Sequence, residues 1–177
     1  MILKFLNTAI NLKEVPRQGW IDKLSIEKPE SVAEHVFSMA ITGMIFSDLK
    51  KYNTEKILKI ILLHDLSESI IGDITPGQIP ISKKRNLENN AMKKILSELP
   101  ESLQSQYNHL WDEYIQNTSS EARFVHQLDK LEMALQAKYY LNEGHPKERL
   151  ESFFNSAKNE ITDKKLLKIF NEITNHG

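Results

Sequence analysis

An all-α fold, an irregular single-domain helical bundle, is the expectation for this chain, and three observations carry it. Glycine and proline are scarce, with 6 of each among 177 residues, and they cluster where the helical pattern breaks. No alternating apolar run is long enough for a strand. Apolar residues instead recur at helical spacing through most of the chain.

Each element follows from local pattern. Residues 2–13 place Ile2, Phe5, Leu6, Ala9 and Ile10 on one face, predicting a first helix. Residues 15–29, opening Val15-Pro16-Arg17-Gln18-Gly19-Trp20, read as a loop. Ser31-Val32-Ala33-Glu34 has the form of a capping box, so a second helix begins at Ser31 and runs to Lys50. The segment 54–67 is apolar almost all round, which predicts a third helix in the centre of the fold. Gly72, Pro76, Gly77 and Pro80 make the next stretch a loop. Helices follow over 83–98 and 100–116, with Pro100 suited to a first turn. Thr118-Ser119-Ser120-Glu121 is a second candidate capping box ahead of a helix over 119–142, whose core stripe is Phe124, Leu128, Leu131 and Leu135. Two last helices, 146–159 and 163–175, look structural.

Composition narrows the function classes. A net charge of −1 offers no whole-molecule attraction to nucleic acid or anionic lipid, so a small substrate is expected. The absence of cysteine excludes disulfides, thiol catalysis and cysteine metal sites, leaving His, Asp and Glu to hold any metal. No segment has the length of a membrane span or the form of a signal peptide, and a cytoplasmic location is the expectation.

The chemistry-bearing residues gather around His64-Asp65. The pair ends a helix that is otherwise apolar, and Glu68 follows within one turn, with Asp73 in the loop beyond. Burying three ionisable groups together is costly unless a metal or substrate compensates. His35 sits in the first turn of the second helix, and Asp129 lies beside the core stripe of the 119–142 helix. Two imidazoles and two carboxylates suit Mn, Co, Zn, Fe or Ni, with Mg tolerable. A bland reading of each residue alone remains open: a capped-helix His35, a turn role for Asp73, a loop staple for Arg17 and Trp20, a solvated helix start for Lys83-Lys84-Arg85. His109, His126, His145 and His176 carry no expected role, and Tyr107, Trp111 and Tyr114 read as core or dimer-interface residues.

His35…His64-Asp65…Asp129 resembles the H…HD…D signature of the HD-domain phosphohydrolases. Four wider stretches resemble the 5′-deoxynucleotidase branch: Val15-Pro16-Arg17 with Gly19-Trp20; Pro29 to His35; His64-Asp65-Leu66-Ser67-Glu68 with Gly72-Asp73-Ile74; and Glu121 to Val125 with Gln127 to Lys130. In bacterial members the arginine and tryptophan are adjacent, whereas here Gln18 and Gly19 separate them. The resemblance implies an all-helical fold, one divalent metal ion, hydrolysis of deoxyribonucleoside 5′-monophosphates, and a homodimer. By position it implies His35, His64, Asp65 and Asp129 as metal ligands and Glu68 as the catalytic carboxylate. Arg17 would bind phosphate, Asp73 the substrate near its sugar, and Trp20 the sugar and base. Two alternatives stand beside this reading: an HD enzyme for another nucleotide (triphosphate, cyclic or polyphosphorylated), or a non-catalytic nucleotide-binding module. Two-metal HD enzymes need further histidines after the HD pair. Between Asp65 and Asp129 there are only His109 and His126, which argues for one metal.

Overall fold

The computed structural model describes residues 2–175. Ten α-helices follow one another: α1 (Ile2–Ile10), α2 (Gln18–Leu24), α3 (Val32–Lys50), α4 (Thr54–His64), α5 (Glu68–Ile71), α6 (Ile81–Leu96), α7 (Glu101–Gln116), α8 (Ser120–Asn142), α9 (Lys147–Glu160) and α10 (Lys164–Asn175). Among the described residues there is no strand; an isolated bridge joins Pro16 to Ser31. No helix among them is long and apolar enough to cross a membrane. The all-helical expectation is therefore met.

Helices α3, α4 and α8 form the centre. Met39 of α3, Ile57, Ile60 and Ile61 of α4, and Leu128 and Leu131 of α8 are all buried in one cluster. At full burial each such side chain contributes about 1.5–3 kcal/mol. Gly43 lets α3 lie close to α4: a Cβ built there would meet the terminal methyl of Ile61 at 2.4 Å. A second, smaller cluster of Trp20, Leu24, Ala137, Tyr140 and Leu150 joins α2 to α8 and α9.

The helix starts follow their capping chemistry. Ser31 accepts from Glu34 N while Glu34 takes the Ser31 N–H, completing the capping box that places His35 one turn into α3. Asn53 caps α4. At the start of α8 the cap is Ser119, which accepts from Ala122 N, rather than Thr118 as the sequence pattern suggests.

Three boundaries differ from expectation. The first helix stops at Ile10, and residues 11–14 tighten into a 3-10 turn that buries Leu12. The expected loop 15–29 contains α2, which has no side-chain cap of its own and whose first N–H is taken instead by Asp73 Oδ2 at 2.8 Å. The expected helix 54–67 ends at His64. Asp65 leaves helical geometry (φ −107°, ψ 9°), and a tight turn leads into α5, which ends at Gly72 with φ 76°. The kink turns Asp65 and Glu68 away from the α4 axis.

Candidate metal and phosphate site

The bridge between Pro16 and Ser31 sets the first part of the site. Arg17 N donates to Glu30 O (3.0 Å) and Val32 N to Val15 O (2.8 Å), holding Arg17 across the start of α3. His35 projects from that start, His64 and Asp65 come from the end of α4, Glu68 opens α5, and Asp129 comes from the middle of α8.

The structure brings these groups together. His35, His64 and Asp129 each offer one ligand atom within 4.8 Å of the others. Asp65 Oδ2 lies 3.1 Å from His64 Nε2 and 3.7 Å from His35 Nε2, and Asp129 Oδ1 lies 3.3 Å from His35 Nε2. Neither Nε2 atom, although buried, makes a hydrogen bond of acceptable geometry, and the same holds for Glu68 Oε2. Buried polar atoms without hydrogen bonds are costly, and His35 Nε2 and His64 Nε2, close to one another and to Asp129, fit a divalent cation. Hard carboxylate oxygens mixed with imidazole nitrogens suit the first-row divalent metals.

Above this cluster Arg17 reaches Asp65 Oδ2 at 3.5 Å and Asp129 Oδ1 at 4.0 Å. Burial opposes its charge, but Asp65, Asp129, Asp73 and Glu68 hold it well above the usual range. His35 behaves similarly. Burial and Arg17 push it down, yet Asp129 and Glu132 outweigh them and raise it to about 10, so a cation entering here displaces a proton. Burial would raise Asp65, but the neighbouring His64 and Arg17 hold it far down. Glu68 goes the other way: burial, then Asp65 and Asp73, lift it well above the usual carboxyl value.

His64, Asp65, Glu68 and Asp129 line a cavity of about 1020 Å³, and His35 is buried beside them. Arg17 and Asp73 line it too, with Lys84 and Lys130 towards its mouth. Lys84 donates to Ile74 O at 2.6 Å, which ties α6 to the loop carrying Asp73. Trp20 belongs to the wall but is only 2% exposed. Its Nε1–H goes to Glu30 Oε1 at 2.8 Å, and its ring packs on Tyr140 and Phe153. The half-buried ring of Phe153, 4.1 Å from that of Trp20, lines the same cavity.

Sequence reasoning overlooked several groups. Glu132 is buried, and its Oε2 lies 2.5 Å from His35 Nδ1. Its signal was present: it falls one turn after Asp129 and beside the core stripe of α8, where a carboxylate needs a reason. Tyr114, read as core or interface, lines the cavity with its ring stacked on His126 (4.2 Å, 17°). Trp111 is buried and donates to Asn89. His109 pairs with Glu113 at the surface and His145 packs near Tyr140, away from the cluster; His176 lies outside the described residues.

A family model described as "HD domain" matches residues 9–169, which is most of the chain. The chain belongs to the HD domain family. Among its relatives, human 5′-deoxynucleotidase HDDC2 is 38% identical over 173 residues, covering 97% of this chain and 84% of the human protein. The Schizosaccharomyces pombe 5′-deoxynucleotidase hdd1 is 38% identical over 157 residues, covering 86% of this chain and 78% of its own. A solved structure from Pyrococcus furiosus, a conserved hypothetical protein, superposes with a TM-score of 0.75 at 30% identity over 98% of this chain and 99% of that one. This HD domain chain thus shares both sequence and architecture with relatives over nearly its whole length.

Proposed function

We propose that this HD domain protein is a 5′-deoxynucleotidase, hydrolysing deoxyribonucleoside 5′-monophosphates to deoxynucleoside and phosphate with one divalent metal ion, Mn, Co or another first-row metal. The observation that carries the reading is the convergence of His35 Nε2, His64 Nε2, Asp65 and Asp129 beside Arg17, with Glu68 lining the same cavity. The names of the relatives at 38% identity supply the substrate class.

In this reading His35, His64, Asp65 and Asp129 hold the metal. When bound, a divalent ion supplies Lewis-acid charge at the phosphoryl group and makes hydroxide available near neutral pH. Arg17 presents its planar fork to the phosphate oxygens and stabilises charge as the transition state forms. Its pairing with Asp65 and Asp129 fixes the guanidinium before substrate arrives. Glu68, whose acidity burial and the charges of Asp65 and Asp73 weaken, is placed to pass a proton to the leaving 5′-oxygen. Asp73, anchored by the N–H of Gln18, contacts the substrate near its sugar. Trp20 backs the nucleoside wall, with Phe153 packed against it. The residues 1–177 act as a single such domain on the cytoplasmic nucleotide pool, without nucleic acid or membrane as partner.

A homodimer completes the proposal. Phe37, Ile41, Met44, Ile45 and Leu49 recur on the outer face of α3 and are 41–66% exposed. An apolar stripe of this kind on a nearly neutral molecule favours self-association.

Phosphate release is the direct test. Metal-stripped protein, resupplied with Mn or Co, is offered deoxy- and ribonucleoside mono-, di- and triphosphates. Metal-dependent turnover confined to deoxynucleoside monophosphates is the expected result. Turnover of another member of the panel, with no monophosphate cleaved, replaces the substrate and keeps the HD chemistry. Binding without any turnover replaces the enzyme by a nucleotide-binding module.

A further inference from the structure

Behind the metal cluster lies a second, buried set of groups. Glu30, His35 and Glu132 each offer an atom within 4.8 Å of the others. Glu132 Oε2 accepts from His35 Nδ1 at 2.5 Å, and Glu132 is only 2% exposed. Trp20 Nε1–H donates to Glu30 Oε1 at 2.8 Å, and the Tyr140 hydroxyl accepts from Glu30 N at 3.0 Å. None of these contacts touches the cavity floor. They join the nucleoside wall to the back of one proposed ligand.

An imidazole has two nitrogens, and which one is bare is decided by what the other one holds. With Glu132 against Nδ1, that nitrogen keeps a proton, and Nε2, which faces Asp65 and Asp129, is the nitrogen offered to a cation. The ring is also held in its plane, because α8 supplies both Glu132 and Asp129, one turn apart. Glu30 stands next to Glu132 and is itself placed by Trp20. Glu30, His35 and Glu132 each bring an atom within 4.8 Å of the others, so the Trp20–Glu30 contact reaches the carboxylate that holds His35.

We infer that Trp20, Glu30 and Glu132 form a positioning string that sets the tautomer and orientation of His35, with Trp20 acting on the metal through Glu30. The inference rests on the metal reading given above and deepens it. Trp20 thereby differs from a simple substrate contact. It packs on Phe153, with its only polar atom turned away from substrate and towards the metal's supporting residues.

The experiment is Mn²⁺ binding to the metal-stripped full chain, followed by titration calorimetry, for wild type, Glu132→Gln and Trp20→Phe. Loss of a carboxylate behind a ligating histidine is expected to weaken metal binding about 10–100-fold in Glu132→Gln. Trp20→Phe keeps the ring and removes the donor, and is expected to weaken binding about threefold, the scale of one hydrogen bond. A folded Glu132→Gln protein that binds Mn²⁺ within twofold of wild type overturns the inference while leaving the metal reading intact. A raised nucleotide KM in Trp20→Phe with unchanged Mn²⁺ affinity removes Trp20 from the string. Absence of Mn²⁺ binding by wild type removes both the metal reading and the inference. Should Glu132→Gln fail to fold, the Zn²⁺-loaded wild type decides by long-range ¹H–¹⁵N NMR. Protonated Nδ1 and metal-bound Nε2 on His35 support the string, and the reverse assignment overturns it.

Discussion

Glu68 differs from its neighbours in kind as well as in position. Asp65 and Asp129 are held charged by His64, His35 and Arg17, whereas Glu68 sits in the same cluster and is driven towards its neutral form. In the proposed reading, two carboxyl environments pushed apart in this way give Asp65 and Asp129 the metal-holding role and Glu68 the proton-moving one. Glu68→Gln therefore should lower kcat by about 10²–10⁴-fold while leaving Mn²⁺ affinity close to wild type, as calorimetry and steady-state rates will show. Arg17→Lys keeps the charge and loses the fork, so kcat/KM should fall by roughly tenfold or more, corresponding to about 1.5–3 kcal/mol for charged hydrogen bonds. His35, His64, Asp65 and Asp129 were legible in the sequence through the likeness to the H…HD…D signature, and the structure brings His35, His64 and Asp129 within 4.8 Å of one another with Asp65 beside both imidazoles. Glu132 is also ionisable and buried, but its partner is the far nitrogen of a histidine 97 residues away. Nothing along the chain announces that pairing.

At the scale of elements, the site depends on how α3 and α4 approach each other. Gly43 sits where Ile57, Ile61 and Leu128 converge. Gly43→Val should destabilise the protein by about 1–3 kcal/mol, measurable by urea denaturation, because the methyls have no room to retreat in a filled core. Helices α3, α4, α7 and α8 could be read from periodicity and caps. The α2 helix could not, because at seven residues it is too short for a periodic signal and its start is satisfied by Asp73, 55 residues on. The end of α4 was also missed. Leu66 and Ser67 are buried and continue the apolar pattern, yet the backbone turns at Asp65 to present its carboxylate to the two imidazoles. Hydrophobic pattern reports burial, and here burial continues after the helix has stopped.

The whole molecule links cation binding to stability. A metal held by α3, α4 and α8 binds only the folded chain, and at 100 times its dissociation constant adds about 2.7 kcal/mol. For a chain of 177 residues, removing it with a chelator should lower Tm by roughly 5–10 °C, and Mn²⁺ should restore it; scanning calorimetry checks both. Sedimentation velocity addresses the outer face of α3: if the proposed homodimer forms there, Phe37→Glu with Ile45→Glu should leave a monomer, since both residues lie on the exposed stripe. The distribution of ligand candidates along the chain has an effect during synthesis as well. His35, His64 and Asp65 all lie in the first 65 residues, but Asp129, together with Glu132, arrives only with α8. On the ribosome, the α3–α4 pair emerges and can collapse well before α8 leaves the exit tunnel. For that interval the nascent chain carries His35, His64 and Asp65 without the helix that brings Asp129 to them. If the proposed four ligands hold the ion, the site is completed only once α8 has emerged, and a chain ending before residue 129 should bind Mn²⁺ more weakly.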